Sequence, residues 1–572
     1  MKFLTKKIYI IFLALILLPI NQNVSGKENK LKYSKEDISN YFSGKLSTNL
    51  KYSNNAYNYF KKVKSIKNKH TQFNIEYLTT LVLLSKFDKA FEYSSSIWKE
   101  DEFLFEADLM LGLKYLMKED YLNAEKYFKR LNQTSNENFY SDNFIGNVLM
   151  AWSSAYQGKK NDSFNFIKKI PSSYNRLANI QNIFLKCFFG EKEIDILYKK
   201  LVSNKNYNFS RYNFFLMNYL LSNNKTKEAE ILVKKRKKSY NTNLLIKQTD
   251  YFFFNQQSNK IVDFYSCKDP KDSLAELFYV IANLYSSEQD YKTSNFYMQI
   301  SLFLNDKFLT NKALLAENYF YQQKDEMAID IYKFLKTIGP IYSWHSAKSI
   351  TSILFNTDNK EGAIKKLKKE FTTIPNKNYE HYYEFANINK DYENYEESIM
   401  YYSIALKKID KSNFLIPKIL YRRGTSYERL GNWENAEIDL KESLKILPDQ
   451  PHVLNYLAYS WIDKKINLDE GLEMLKKAIN LKDNDGYIID SMGWAYYAKK
   501  DYTEAKIFLE QAVQLMPEDP TINDHYADTL WMLNQKMQAR YFWNYILSLK
   551  QIEEKMRKNI NNKLAFGIKK NT

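Results

Sequence analysis

Small and bulky apolar residues recur along this chain at a fixed spacing of 34 positions. The pattern is plainest in residues 486–517, GYIIDSMGWAYYAKKDYTEAKIFLEQAVQLMP. Counted from Gly486, Met492, Gly493, Tyr496, Ala505, Leu509, Ala512 and Pro517 stand at 7, 8, 11, 20, 24, 27 and 32. A glycine at 8 lets two antiparallel helices touch, alanines at 20 and 27 keep the second helix slim, and larger apolar residues fill the seam. Proline at 32 cannot continue a helix and ends the unit. One such pair cannot hide its apolar face, so the pairs are predicted to stack.

The register extends through most of the chain. It begins near Thr71 with Leu78, Leu81 and Ala90, and strengthens from Phe105 with Leu111, Gly112, Tyr115, Ala124 and Phe128. A following unit with Gly146 at 8 loses register around Gly158. From there to about Pro270 the pattern is degenerate, although Leu220 and Ala229 mark one helix pair near Ser210. Helices are expected throughout this middle stretch, with their pairing left open. Register returns at Ala275, Leu309, Trp344 and Tyr379; the unit from Leu309 places Leu315, Ala316, Tyr319, Ala328, Tyr332 and Pro340 in order. Residues 411–416 are extra and mark a bend or a boundary. Units then open at Pro417, His452, Gly486 and Pro520 at 34- or 35-residue steps, and residues 544–563 are expected to form a terminal helix over the last seam.

These positions identify the chain as similar to the tetratricopeptide repeat (TPR) family over roughly 71–550. The resemblance implies an all-α fold, a right-handed superhelical solenoid of about a dozen TPR helix hairpins, with a concave groove that binds peptides or partner proteins. The expected organisation is 1–26 signal peptide, 27–70 linker and N-terminal capping helices, and 71–270 a partly degenerate array. A central array over 271–410, a well-formed array over 411–550, and over 551–572 the end of a C-terminal capping helix with a basic tail follow. Residues of about 452–545 (NYLAYSWIDKKINLDEGLEMLKKAI, DGYIIDSMGWAYY, DPTINDHYADTLWMLNQKMQARYFW) look like the terminal module of exported bacterial repeat proteins. Some of those are outer-membrane lipoprotein adaptors that deliver substrates, cell-wall hydrolases among them, to processing proteases. No Cys follows the leader here, so that anchoring is not expected.

Composition agrees with a long helical array. Of 572 residues only 14 are Gly and 10 Pro, against a turn-rich β protein. Lys2, Lys6 and Lys7 precede an apolar run over 8–18, then Pro19 and a Val24-Ser25-Gly26 stretch. That is the form of a secretory signal peptide cut after Gly26, with an uncleaved anchor as the alternative. The run is shorter than the roughly 20 apolar residues a membrane span takes. Cys187 and Cys267 lie about two repeats apart, beyond disulfide reach in a regular stack, and read as two small buried apolar residues. The formal charge is +18. Residues 417–550 hold 17 Lys/Arg against 20 Asp/Glu, a balance of −3, so the remainder carries +21. Either an anionic surface attracts that remainder, or it reflects the general bias toward Lys, Asn, Tyr, Phe and Ile. Export argues against nucleic acid as a partner, leaving membrane or cell-wall polymer as a peripheral contact; oligomeric state is not legible.

The groove supplies the candidate site. The resemblance places positions 2, 5, 9 and 12 of each unit on the inner wall. Across the last three units these include Tyr456, Asp463, Asp490, Trp494, Tyr497, Asp524, Asp528 and Trp531. Aromatic faces offer contact area and carboxylates select a cationic partner, here a peptide segment with Lys or Arg beside apolar residues. The competing reading is that the aromatics pack between helices and the acids are solvated. Tyr456, Asp490 and Asp524 stand where some family members carry the Lys and Asn that clamp a terminal carboxylate, so that role is not expected. The basic run over 234–238 (KKRKK) is either a phosphate or lipid patch or the solvated end of a helix.

Catalysis is not expected. His70, His345, His381, His452 and His525 form no HExxH or Cys/His cluster, so no metal site is predicted. A glycine-rich phosphate loop, a nucleophile elbow and a marked acid–base dyad are absent. No cofactor is predicted.

Overall fold

The 34-residue period appears in the computed structural model as a succession of helix hairpins. The structure describes residues 34–49, 52–63, 66, 69–133, 143–204, 208–236, 243–355, 360–549 and 552–568. Among them are 31 α-helices, one 3-10 turn and no strand. No helix among them is long and apolar enough to cross a membrane. The signal peptide expected over 1–26, Lys237 and Lys238 of the basic run, and the last four residues of the tail lie outside the described residues.

Local chemistry sets where each helix starts. Asp485 and Asp519 accept hydrogen bonds from the first free N–H groups of Gly486–Ala498 and Pro520–Met532. Asp120, Asp290 and Asp501 do the same for second helices. Inside each hairpin the small residues do what their spacing predicts. A Cβ on Gly493 would lie 2.5 Å from Leu509 Cγ and 3.2 Å from the Ala505 carbonyl oxygen, so only glycine allows this approach. Ala505, Leu509 and Ala512 are fully buried in the seam so formed.

The chain divides into two compact units. The first, ending at Gln181, contains the hairpins Lys35–Asn49 with Ser53–Phe60, Thr71–Leu83 with Phe87–Ile97, Phe105–Met117 with Tyr121–Leu131, and Phe144–Tyr156 with Lys160–Lys168. Its core includes the fully buried Trp152, whose indole N–H donates to Gln181 Oε1 at 2.8 Å. Buried Asp108 accepts from Trp98 Nε1 and Arg130 Nε, each at 2.9 Å.

The second unit, from Asn182, contains the regular hairpins from Pro270–Ser287 onward. The apolar core passes through 411–416: Ile409, Leu415 and Ile419 share one cluster with Tyr383 and Tyr402. The C-terminus departs from the expected single helix over 544–563. One helix ends at Ser548, where Leu549 turns extended, and a separate one spans Glu554–Phe566.

The degenerate stretch is helical and, beside neighbour pairings such as Tyr212–Ser222 with Thr226–Arg236, makes contacts out of sequence. Tyr212–Ser222 packs on Ser258–Asp263, and Leu244–Phe254 packs on Pro340–Phe355 far along the chain. This folding back corrects the expectation for the cysteines. Cys187 and Cys267 form a disulfide, with Cα atoms 5.9 Å apart across 80 residues of sequence. Two regular repeats would have carried them apart; a stretch that returns on itself brings them together. Lys268 Nζ also reaches the Phe188 carbonyl at 2.6 Å.

Closing so long a loop lowers the entropy of the unfolded chain by about 4 kcal/mol in free-energy terms. Replacing Cys187 and Cys267 with Ser is expected to lower the denaturant midpoint accordingly, and dithiothreitol to shift the unmodified chain toward the same value. An unchanged midpoint would mean that packing alone holds the stretch.

Candidate functional site

In the second unit the first helices of successive hairpins pack on one another: Pro451–Asp463 on Gly486–Ala498, and that helix on Pro520–Met532. The second helices of the same hairpins approach each other less, so the first helices form the inner layer. Tyr456 is half-buried there; its hydroxyl donates to Glu428 Oε2 at 2.8 Å, and its ring stands edge-on to Tyr421. Trp494 stacks nearly parallel to Tyr497 at 4.5 Å and to His525 at 4.0 Å. Asp463 is exposed.

The remaining predicted acids are already engaged. Asp490 is buried, and both its oxygens lie within 3.1 Å of His525 Nδ1. Burial disfavours a charged imidazole at His525, but Asp490, with Asp524 and Asp528, outweighs it and raises the pKa. Asp524 and Asp528, also buried, both hold Lys563 of the C-terminal helix at 2.8–2.9 Å. Trp543 Nε1 lies 3.2 Å from Asp524 Oδ1 and 3.3 Å from Asp528 Oδ1. Burial and the neighbouring Asp524 charge push the Asp528 carboxyl up to about 7. Trp531 lies against Trp543 at 5.3 Å, and Gly567 crosses its ring so closely that a Cβ there would fall 2.1 Å from Cζ2. The aromatics lie on the first helices, whereas Asp490, Asp524 and Asp528 meet cations or imidazole from within the chain.

A second charged cluster lies further back on the inner layer and was not singled out from sequence. Lys247 Nζ, on Leu244–Phe254, reaches Glu384 Oε1 at 2.8 Å and Glu380 Oε2 at 3.1 Å. Lys348 Nζ at 2.5 Å and Trp344 Nε1 at 2.7 Å both donate to Glu384 Oε2. Burial opposes ionisation of Glu384, but Lys348 and Lys247 hold its carboxyl well below the usual carboxylate range. Between the two clusters the inner layer carries both signs, with Asp391 near Lys390 and Arg422. Lys390 donates to Thr425 Oγ1, and burial together with the Arg422 charge lowers its ammonium to about 8. One signal could have exposed both clusters. Glu380 and Glu384, like Asp524 and Asp528, are like charges four residues apart on one helix, a pairing that repels unless a cation lies between.

Among the described residues no group of three or more His, Cys, Asp or Glu side chains could hold a metal ion. Residues 417–450 and 489–519 match the family model described as tetratricopeptide repeat. The chain is 33% identical over 100 residues to the TPR repeat-containing protein PA4667 of Pseudomonas aeruginosa, covering 18% of this chain and 17% of that relative. The match therefore spans less than a fifth of either protein. Among solved structures, the chain is similar to a chain of the APC/C hetero-tetramer Cut9–Hcn1 (13% identity, 94% of this chain and 97% of that one, TM-score 0.38). It is also similar to yeast Tom70 (15% identity, 93% and 95%, TM-score 0.35).

The Lys247 cluster carries a pH dependence. Burial, reinforced by Lys348 beside His345 and opposed by Glu384 beside His381, lowers both imidazoles from 6.5 to about 4. The unfolded chain therefore binds protons first on acidification, so this contribution is complete above about 6.5 and is lost as pH falls toward 4. At pH 5 the loss is at most about 2 kcal/mol per histidine. Urea midpoints at pH 7 and pH 5 should separate, and the chain with His345→Gln and His381→Gln should show a smaller separation. Equal separations in both chains would assign the acid sensitivity to other groups.

Proposed function

This is a tetratricopeptide-repeat protein, and we propose that it is an exported, non-catalytic scaffold that binds a protein partner along the inner wall of its second unit. The observation that carries the reading is the parallel stack of Trp494 with Tyr497 and His525, with the half-buried Tyr456 and the exposed Asp463 on the adjacent first helix. Rigid aromatic surface of this kind contributes binding energy at little entropic cost, because the hairpins already hold it in place. The preferred partner segment presents Lys or Arg beside apolar residues, the cation meeting Asp463.

Export is supported by the basic and apolar start of the chain and by the Cys187–Cys267 bridge, which persists in oxidising compartments. Presentation of substrates to an envelope protease or cell-wall hydrolase follows from the likeness of 452–545 to exported adaptors. The other reading is an assembly or transport factor for envelope lipid, polysaccharide or secretion machinery, docking on an anionic surface. It has less support, because Lys234 pairs with Glu230 at 2.6 Å and Arg236 pairs with Asp250.

A photo-crosslinker at Asp463 should capture one defined polypeptide in cells, and Trp494→Ala should reduce its yield at least tenfold at unchanged helicity, as expected for an aromatic anchor. The same crosslinker at the exposed Ile438 of a second helix serves as control. Equal yields with and without Trp494 would remove the inner wall from the binding surface. N-terminal sequencing of the mature protein should begin at Lys27.

A further inference from the structure

Two acid pairs on the inner layer each grip a lysine brought from elsewhere in the chain, and the two lysines are held very differently. Lys247 belongs to a helix that buries Leu245, Ile246, Gln248 and Thr249, so its ion pairs are part of the core. Lys563 belongs to Glu554–Phe566, in which Ile560 alone among the described side chains is buried. That helix packs chiefly on Lys536–Ser548 and leaves Phe566 80% exposed. It is further held by Arg540 Nη1 to the Leu564 carbonyl at 2.7 Å, by Gly567 over Trp531, and by the partly buried Met556, Leu564 and Ile568 against the Trp543 core. Yet the site it covers is demanding. Asp524 and Asp528 are each less than 10% exposed, and removing Lys563 would leave two buried carboxylates beside the Trp543 indole with no cation between them.

We infer that Asp524, Asp528, Trp531 and Trp543 form a lysine-reading site whose resident ligand is the chain's own C-terminal helix, and that a lysine-bearing amphipathic helix of the partner takes its place. The occupant's chemistry follows from the resident. An apolar residue and a lysine three positions apart, as in Ile560 and Lys563, place a side chain in the seam and an ammonium between the two aspartates on one helix face. With one fully buried side chain and a few partly buried ones, the anchor is lighter than that of Lys247, and the acid pair strongly prefers a cation, so exchange of one helix for another conserves the interaction and changes only its source. The proposal rests on the inner wall being the partner surface and adds the chemistry of one end of it.

The test needs no partner. A fluorescein-labelled peptide of residues 552–568 is titrated into the full chain and into the full chain carrying Lys563→Ala, with anisotropy as the readout. Weak binding to the unmodified chain is expected, with at least tenfold tighter binding to the Lys563→Ala chain, whose own helix is released. A peptide carrying Lys563→Ala should bind neither chain, and adding Asp524→Asn and Asp528→Asn to the released chain should abolish binding of the unmodified peptide. Equal affinity for the two chains, or no binding to either, overturns the proposal. Hydrogen exchange on the unmodified chain decides the matter if the variant fails to fold. Amides of Glu554–Phe566 should exchange at least 100-fold faster than those of Pro520–Met532, and equal rates overturn the proposal. Because neither measurement involves the Trp494 stack, failure here leaves the capture reading to its own experiment.

Discussion

Everything else in the structure depends on how closely the two helices of a hairpin can approach. At Gly493 the facing backbone carbonyl of Ala505 and the Leu509 side chain occupy the volume a Cβ would need. With that contact made, Ala505, Leu509 and Ala512 vanish from solvent, and the apolar surface left over on each hairpin can be covered only by the next one. The hairpin is therefore not a stable object alone, and a long array follows from a requirement at one residue per repeat.

The same packing forces a problem on the inner layer. First helices that touch each other bury polar residues along with apolar ones, and a buried carboxylate must find a cation or hydrogen-bond donors. One solution recurs three times. Asp108 takes the Trp98 indole N–H and Arg130. Glu384 takes the Trp344 indole with Lys247 and Lys348. Asp524 and Asp528 take the Trp543 indole with Lys563. In each case an indole N–H and a cation reach the same carboxyl group or pair, so a tryptophan serves the core and the ion pair at once.

This division separates what was legible in the sequence from what was not. The hairpins could be read because every determinant of a hairpin lies within 34 residues, as with Gly493 facing Ala505 and Leu509. Positions on the inner layer came from the family resemblance, which implied Tyr456, Trp494 and Tyr497 on the first helices. The partners of the acids could not be read that way. Lys247 is 137 residues from Glu384 and Lys563 is 39 from Asp524, and neither lies in a stretch where the period fixes its place. The cysteines failed for the same reason. Regular stacking predicts separation, and the stretch between them is where regularity is lost.

The irregular segments therefore carry more of the inner wall's chemistry than the regular repeats suggest. Toward the N-terminal side of the central hairpins, Leu244–Phe254 occupies the acid pair of one first helix; at the far end, Glu554–Phe566 occupies that of another. Between them Lys390 and Arg422 lie near one another and near Asp391, Tyr456 meets Tyr421, and the Trp494 stack with Tyr497 follows. A wall whose acidic ends are met by its own lysines leaves the aromatic stack and the exposed Asp463 between them. Specificity there comes as much from the sites the chain closes to itself as from those it leaves open.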